Sequence, residues 1–463
     1  DLNAAQSASP AFDALVVVSS TPLAALKGPL GEAVTAAAKV DGRVGQDTLL
    51  LPNTAALGGR LILAPTGPLN RDQDDVRRFA KAAGEGLKRA RDAGATRPCL
   101  MIDTANNTFQ RSVEVALLGG LSSLWKPLEA REVLGEGKME PITDVGFIAP
   151  TGSKAGEIAR VVSAMEAGRR LGRDISGTNQ ERMTPIKAAK LCQAAFKGTG
   201  VKVSVIEDQD VINKEYPLLA AVGRASLAVP RHHPRVVRME YVGEGEIEET
   251  VFMVGKGVTF DTGGLDIKCS GHMAGMSRDK GGAGAAAGFV LTAAHLKPKG
   301  IRLVCELALV RNSVGSDAFA ADEIITAHSG TRVRIGNTDA EGRLAMADLL
   351  SHHREEAKGA TNPHLFTVAT LTGHAGRAVG PYSIALDNGP AHKKAMAMSL
   401  MDIGDTWGDC FAFSRLRPED FDFVRPRTEA DDVLSCNNEP SSGTPRGHQF
   451  PMAFLIKSAG LEP

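Results

Sequence analysis

Short apolar runs alternate with amphipathic stretches through the first 150 or so residues. "ALVVVSS" and "RLILAP" read as strands, as do "RPCLMIDTA" and "VGFIAP". Between them, "DDVRRFAKAAGEGLKRARDAGA" carries helical spacing, with acids at its start and Gly94 near its end. Strands alternating with helices predict a mostly parallel sheet covered on its faces. In "SKAGEIARVVSAMEAGRRLGRDISG", Ile158, Val161, Val162, Met165, Leu171 and Ile175 recur at helical spacing. This stretch predicts one long helix joining two domains.

The second half repeats the β-then-α order. "ETVFMVGKGVTFD" is expected to be a strand that breaks at its glycines, and "GAGAAAGFVLTAAHL" a helix of small residues suited to close packing. "IRLVCELALV" predicts a buried strand and "TRVRIGN" an alternating one. "GRLAMADLLSHHREEA" predicts a helix, "HLFTVATLTG" a strand entering a turn, and "CNNEPSSGTPRG" a flexible loop. The expected fold class is α/β with two domains, each a mostly parallel or mixed sheet covered by helices. The expected N-terminal α/β domain spans 1–152, a linker helix 153–180 and a C-terminal domain 181–463.

Composition narrows the function classes. At 463 residues the chain is too long for one ordinary core. A formal net charge of −1 offers no basic excess for a nucleic-acid backbone and no acidic tail for a basic partner. The six cysteines lie far apart without a C-x-x-C pair, which predicts reduced thiols and a cytoplasmic location. The opening "DLNAAQSASP" has no basic region followed by an apolar run, so no signal peptide is expected. No stretch is long and apolar enough to predict a membrane span.

The chemistry concentrates in three places. In "VGKGVTFDTGGLDIK", Lys256 and Asp261 are an odd number of residues apart and would face opposite sides of a straight strand. Gly255 and Gly257 would permit a bulge that turns both to one site. Gly263 and Gly264 then let backbone pass close to whatever Asp261 holds. "MSRDKGG" supplies Asp279 ahead of a glycine pair, and "GNTDAEGRL" packs Asp339, Glu341 and Arg343 at spacing two. Asp339 and Glu341 share a face if extended but diverge by roughly 160° in a helix, so a shared task requires the helix to start no earlier than about Gly342. The plain alternative is a helix start, because Thr338 to Glu341 matches the S/T-x-x-E capping box. Taken together, four carboxylates beside glycines or strand–helix junctions suit two divalent cations. Lys256 sits inside an apolar strand pattern, where an unpaired ammonium is costly.

These blocks, with "ATLTG" and in this order and spacing, resemble the leucyl aminopeptidase (cytosol aminopeptidase) family of two-metal exopeptidases. "NTDAEGRL" matches the family signature, and the resemblance covers about residues 165–460, closest to the animal aminopeptidase-like branch. It implies that Lys256, Asp261, Asp279, Asp339 and Glu341 are metal ligands, with Asp261 and Glu341 touching both ions. Lys268 becomes the cation facing the substrate carbonyl. Arg343 holds a bicarbonate that takes the proton of the attacking water. Met276, Thr370, Leu371 and Gly373 line the pocket for the N-terminal side chain. The implied cofactors are two divalent ions, zinc first, with manganese or magnesium as alternatives. The implied substrates are peptides with a free N-terminus, and the implied assembly is a homohexamer. The family pattern also differs in places: Lys280 stands where many members have methionine, Arg311 precedes Asn312 where a Glu-Asn pair is common, and a further His-x-Asp-Ile-Ala-Gly stretch is expected beyond "SAGLEP".

Rival readings are a catalytically idle scaffold, a nucleic-acid-binding protein and a metal-dependent phosphoesterase. Retention of all five ligands with Lys268 and Arg343 weighs against the first, and near-neutral charge against the second. "GAGAAA" with Glu306 about twenty residues on fits the dinucleotide fingerprint, but "SRDKGG" rather than an apolar strand precedes it. "SHHREE" is expected to be a solvated helix face. His272 and His374 stand near the site in sequence, where support behind the ligands and a surface or packing role are equally open.

Overall fold

The computed structural model describes residues 2–4, 11–105, 108–149, 152–439 and 443–462. The expectations for the first ten residues and for the 436–447 loop therefore fall partly outside the described residues. The chain divides into two compact units, one of residues 1–166 with 398–411 and the other of 167–397 with 412–463.

In the N-terminal unit the apolar runs form the strands expected of them. These are β1 (Leu2–Ala4), β2 (Ala14–Ser19), β3 (Leu49–Pro52), β4 (Arg60–Pro65), β5 (Pro98–Ile102) and β6 (Val145–Ile148). They pair in the order β1-β6-β5-β2-β4-β3, all parallel except β3 against β4. Strand β2 is buried along its whole length, as a sheet covered on both faces requires. Val16, Val18, Ile62 and Leu100 pack on one face with Phe79, Ala83 and Leu87 of helix α1 (Arg77–Asp92) and with helix α2 (Ser112–Leu124). Leu15, Val17, Leu61 and Leu63 fill the other.

The long helix α3 (Ala155–Gly177) forms where its periodicity predicts and crosses the division between the units. In the second unit the sheet runs β13-β9-β10-β8-β7. Its strands are β7 (Lys202–Ile206), β8 (Arg235–Val242), β9 (Glu249–Asp261), β10 (Ile301–Asn312) and β13 (Pro363–Val368). Strands β13, β9 and β10 are parallel; β8 is antiparallel to both β10 and β7. Two short strands, β11 (Ile324–Thr326) and β12 (Arg332–Arg334), pair outside this sheet. Helices α4 (Gln209–Glu215), α5 (Pro217–Gly223), α6 (Gly281–Leu296), α7 (Glu341–Ala357) and α8 (Phe450–Ser458) belong to the same unit.

Strand β9 does not break at its glycines; it runs unbroken through Gly255 and Gly257. Those glycines serve packing instead. A Cβ at 255 would stand 2.8 Å from the Ala283 Cα of α6, and one at 257 would stand 3.2 Å from the Ala283 Cβ. The irregularity comes later: Val310 pairs with Val258, then Asn312 with Asp261, so β9 advances three residues while β10 advances two. One extra residue restores the parity that a straight strand would deny to Lys256 and Asp261. The small residues of α6 also do what was expected of them. A Cβ on Gly284 would meet the Gly172 carbonyl at 2.7 Å, and one on Gly168 the Gly288 carbonyl at 2.2 Å, so α3 and α6 approach backbone to backbone.

Candidate metal centre

The three chemical blocks converge at the carboxyl ends of β9, β10 and β13, where open α/β sheets place their ligand sites. Asp261 ends β9. Asp279 follows a one-turn 3₁₀ helix, Met276–Arg278, just before α6. Asp339 lies in a second 3₁₀ turn, Thr338–Ala340, and Glu341 is the first residue of α7. The helix thus begins one residue earlier than the shared-face argument allowed. The 3₁₀ turn ahead of it changes the angular step, so the spacing rule for a pure helix does not apply. The capping box does not form. Asn337 Oδ1 accepts from the Asp339 amide at 2.7 Å, while Thr338 Oγ1 donates to the Gly263 carbonyl at 2.6 Å. Thr338 therefore ties the signature turn to the loop after Asp261. Gly263 and Gly264 make that loop with φ of +87° and +67°, a region other residues rarely adopt.

Asp261, Asp279 and Glu341 each offer an oxygen within 4.8 Å of the others, and all three are buried. Two lysines thread between the acids. Lys256 Nζ is 2.7 Å from Asp279 Oδ2, 2.8 Å from Glu341 Oε1 and 2.9 Å from the Thr370 carbonyl. Lys268 Nζ is 2.9 Å from Asp261 Oδ2 and also pairs with Asp339 Oδ1. Burial opposes charge on Lys256, but Asp279, Glu341 and Asp261 outweigh it and hold the group well above the ordinary lysine pKa. As the structure stands Lys256 is an ammonium, so service as a ligand requires displacement of its proton.

The acids are strained electrostatically. Burial, then repulsion from Asp261, pushes Glu341 well above the carboxylate range, and burial also raises Asp279; Asp339 stays exposed at the edge of the cluster, yet partial desolvation and then repulsion from Asp261 push it up to about 6. Four carboxylates face two ammonium groups. Among the described residues, Glu341 Oε2 is buried without a hydrogen-bond partner. A buried oxygen left unpaired in a negative cluster is what a hard cation satisfies, so the donor set fits divalent metal.

Arg343 is buried two residues further along α7. Its Nη1 donates to the Ser435 carbonyl at 2.8 Å, and its guanidinium lies over the Phe450 ring of α8 at 5.0 Å. Its Nε is buried without a partner among the described residues, which leaves a donor for an anion. Around the acids, Thr370 Oγ1 donates to Asp279 Oδ1 at 2.8 Å, and Met276 is half-buried. Leu371 packs partly against the core, and Gly373 opens a short helix, Gly373–Val379, with free space where a Cβ would stand.

Sequence reasoning missed two contributors. Asn312, known only as one half of a departure from the family pattern, donates through Nδ2 to Asp261 Oδ1 at 2.9 Å and to the Thr338 carbonyl at 3.1 Å. A polar residue ending a buried apolar strand was the available signal. Gly342 leaves the room that the Lys256 side chain fills: a Cβ there would stand 2.5 Å from Lys256 Cε, so the lysine would have to shift. The departures also find places. Lys280 is fully buried and donates to the carbonyls of Thr178, at 2.7 Å, and Ser277. Arg311 lies over Phe260 at 5.2 Å and pairs with Glu181 at 3.3 Å. His272 is exposed, and His374 packs edge-on against Phe450. The "SHHREE" segment is not a solvated face: Ser351 and His353 are buried, and Glu356 pairs with Arg238 and Arg302. The helix period hid this, because α7 packs into the main core along nearly all of its circumference.

This combination of fold and acid–lysine cluster defines a class. Residues 170–458 match the catalytic-domain model of the cytosol aminopeptidase family, and the chain belongs to that family. Among its relatives is a Caenorhabditis elegans protein named as an aminopeptidase, W07G4.4, 43% identical over 98% of this chain and 88% of its own. A Roseiflexus castenholzii protein named as a cytosol aminopeptidase is 26% identical over 80% of this chain and 73% of its own. In fold the chain is similar to the bottromycin maturation enzyme BotP, solved in complex with Mn. That match has TM-score 0.78 and 23% identity, covering 96% of this chain and 89% of the other. It is likewise similar to the leucyl aminopeptidase of Trypanosoma cruzi, with TM-score 0.76 and 24% identity, covering 97% and 86%. Among the described residues, no helix is long and apolar enough to cross a membrane.

Proposed function

We propose that the protein is a metal-dependent aminopeptidase that hydrolyses the N-terminal peptide bond of peptides. Lys256, Asp261, Asp279, Asp339 and Glu341 hold two divalent cations, zinc first, with manganese or magnesium as alternatives. The observation that carries this reading is the buried cluster of acids around two lysines, with the Glu341 Oε2 left unpaired. When bound, two such cations lower the pKa of a water and stabilise charge at the scissile carbonyl.

The chain's own groups do the rest. Lys268 stays charged, because Asp261 and Asp339 overcome the cost of its burial, and its ammonium donates to the oxygen on which negative charge develops. Asn312 and the Gly263 amide, 2.9 Å from Asp261 Oδ1, fix one oxygen of that carboxylate and leave the other to turn inward. Arg343 would hold a bicarbonate through its spare Nε donor, and that group would supply a base for the attacking water. Met276, Thr370, Leu371 and Gly373 line the pocket for the substrate's first side chain. Cytoplasmic location and a homohexameric assembly complete the reading, supported by the family; analytical ultracentrifugation tests the latter. The function is tested by hydrolysis of amino-acid anilides against a phosphate ester. Anilide turnover that chelator abolishes supports it; phosphate-ester turnover alone refutes it.

A further inference from the structure

Away from the acid cluster, Glu215, His328 and His352 come together from three separate segments. Glu215 ends α4, His328 lies in the turn between β11 and β12, and His352 stands about three turns along α7. One ligand atom from each lies within 4.8 Å of the others, and all three residues are half-buried. His328 Nε2 is 4.0 Å from Glu215 Oε2.

The protonation pattern is defined by the neighbours. His352 Nε2 is 2.9 Å from the Glu215 carbonyl. A carbonyl only accepts, so Nε2 carries hydrogen and the neutral ring has its lone pair on Nδ1. His328 Nδ1 is 3.0 Å from Ser351 Oγ, which leaves Nε2 directed to the carboxylate. The rings stack at 3.7 Å and 27°, an arrangement that disfavours two charged imidazoles.

The arrangement rests on one buried carboxylate. Asp348 Oδ2 accepts from the Leu218 amide at 2.7 Å and the Leu219 amide at 3.4 Å, and Oδ1 accepts from the His328 amide at 2.9 Å. Asp348 is on α7, one turn before His352. It therefore links the helix of one histidine, the turn of the other and the chain just after Glu215. Such outer hydrogen bonds position ligands and select their tautomers in metal sites.

We propose that Glu215, His328 and His352 form a divalent transition-metal site of the zinc class, separate from the acid cluster. Two imidazoles and one carboxylate suit zinc better than magnesium or calcium and leave a fourth position for water. Tetrahedral donors about 2.0–2.1 Å from zinc stand roughly 3.4 Å apart, so donor atoms now within 4.8 Å of one another close by up to about 1.4 Å through side-chain rotation, which also splays the stacked rings apart. An ion here joins α4 and the 327–331 turn to the helix whose first residue is Glu341. The inference does not depend on the proposed peptidase activity.

The test is equilibrium dialysis of the chelator-stripped full chain against zinc alone, at pH 7.5, with circular dichroism as a folding control. Wild type should bind one zinc more than His328→Gln or Glu215→Gln. Ser351→Ala should keep the site with affinity weaker by about 10–100-fold. A second measurement needs no variant: copper(II) bound to wild type should show imidazole nitrogen couplings in pulsed electron paramagnetic resonance, because the acid cluster contains no histidine. Equal zinc stoichiometry in wild type and folded variants, or copper spectra without imidazole nitrogen, overturns the proposal.

Discussion

Lys268 and Lys256 are separated by twelve residues and divide the acids between them, Lys256 pairing with Asp279 and Glu341 and Lys268 with Asp261 and Asp339, and the proposed mechanism gives them different tasks. Lys268 remains partly exposed, as its proposed contact with substrate requires. Lys268→Ala is expected to lower anilide turnover by on the order of a hundredfold or more while metal content is kept, as loss of an oxyanion donor does. Turnover near wild type with metal retained removes that role. Lys256 is enclosed, with Gly342 leaving the room its side chain occupies. Gly342→Ala should displace Lys256 and cost roughly 10–100-fold in turnover, measured beside a melting curve to show that the fold survives. At this scale the sequence disclosed which side chains gather, since the acids and lysines stand beside glycines and strand ends. It did not disclose Asn312 or Gly342, whose work depends on a neighbour distant in the chain.

At the scale of elements, long periodic segments were legible and irregular ones were not. Helices α1, α3, α6 and α7 and strands β2, β4, β5, β9 and β10 form where the apolar pattern puts them. Alternation and helical period report burial on one face, which is the quantity the core enforces. A bulge or a 3₁₀ turn is set by local pairing and leaves no such pattern. The extra residue of β9 therefore lies at 258–261 rather than at the glycines, and Thr338 staples a loop rather than capping a helix. The inward polar groups of β10 and α7 were equally hidden. Glu306 is buried beside Arg238, at 3.2 Å, with His353 Nε2 at 3.6 Å. Burial pushes its pKa up to about 7. The folded state thus binds a proton that the unfolded chain has released between about pH 4.5 and 7, so this group's contribution falls as pH rises through that window. Glu306→Gln should remove that slope, at most about 1.4 kcal/mol per pH unit, and gain stability relative to wild type as pH rises from 5 to 7. Denaturant melts across this range check it; a difference that does not vary with pH contradicts the assignment.

Considered whole, the molecule has the mixed α/β architecture expected of it, and its membership of the cytosol aminopeptidase family rests on matches spanning most of the chain. The return of residues 398–411 to the N-terminal unit had no signal in the sequence, because a change of unit without a change of composition leaves none. Net charge near zero argues against a nucleic-acid partner, and salt-dependent DNA binding is not expected. The central claim is that the buried acids work by holding cations. Its most direct test is amino-acid anilide turnover by chelator-stripped protein as zinc or manganese is added back. Negligible turnover is expected in the stripped protein, with recovery on metal addition and no recovery in Asp279→Ala. Undiminished hydrolysis by fully stripped protein would contradict it.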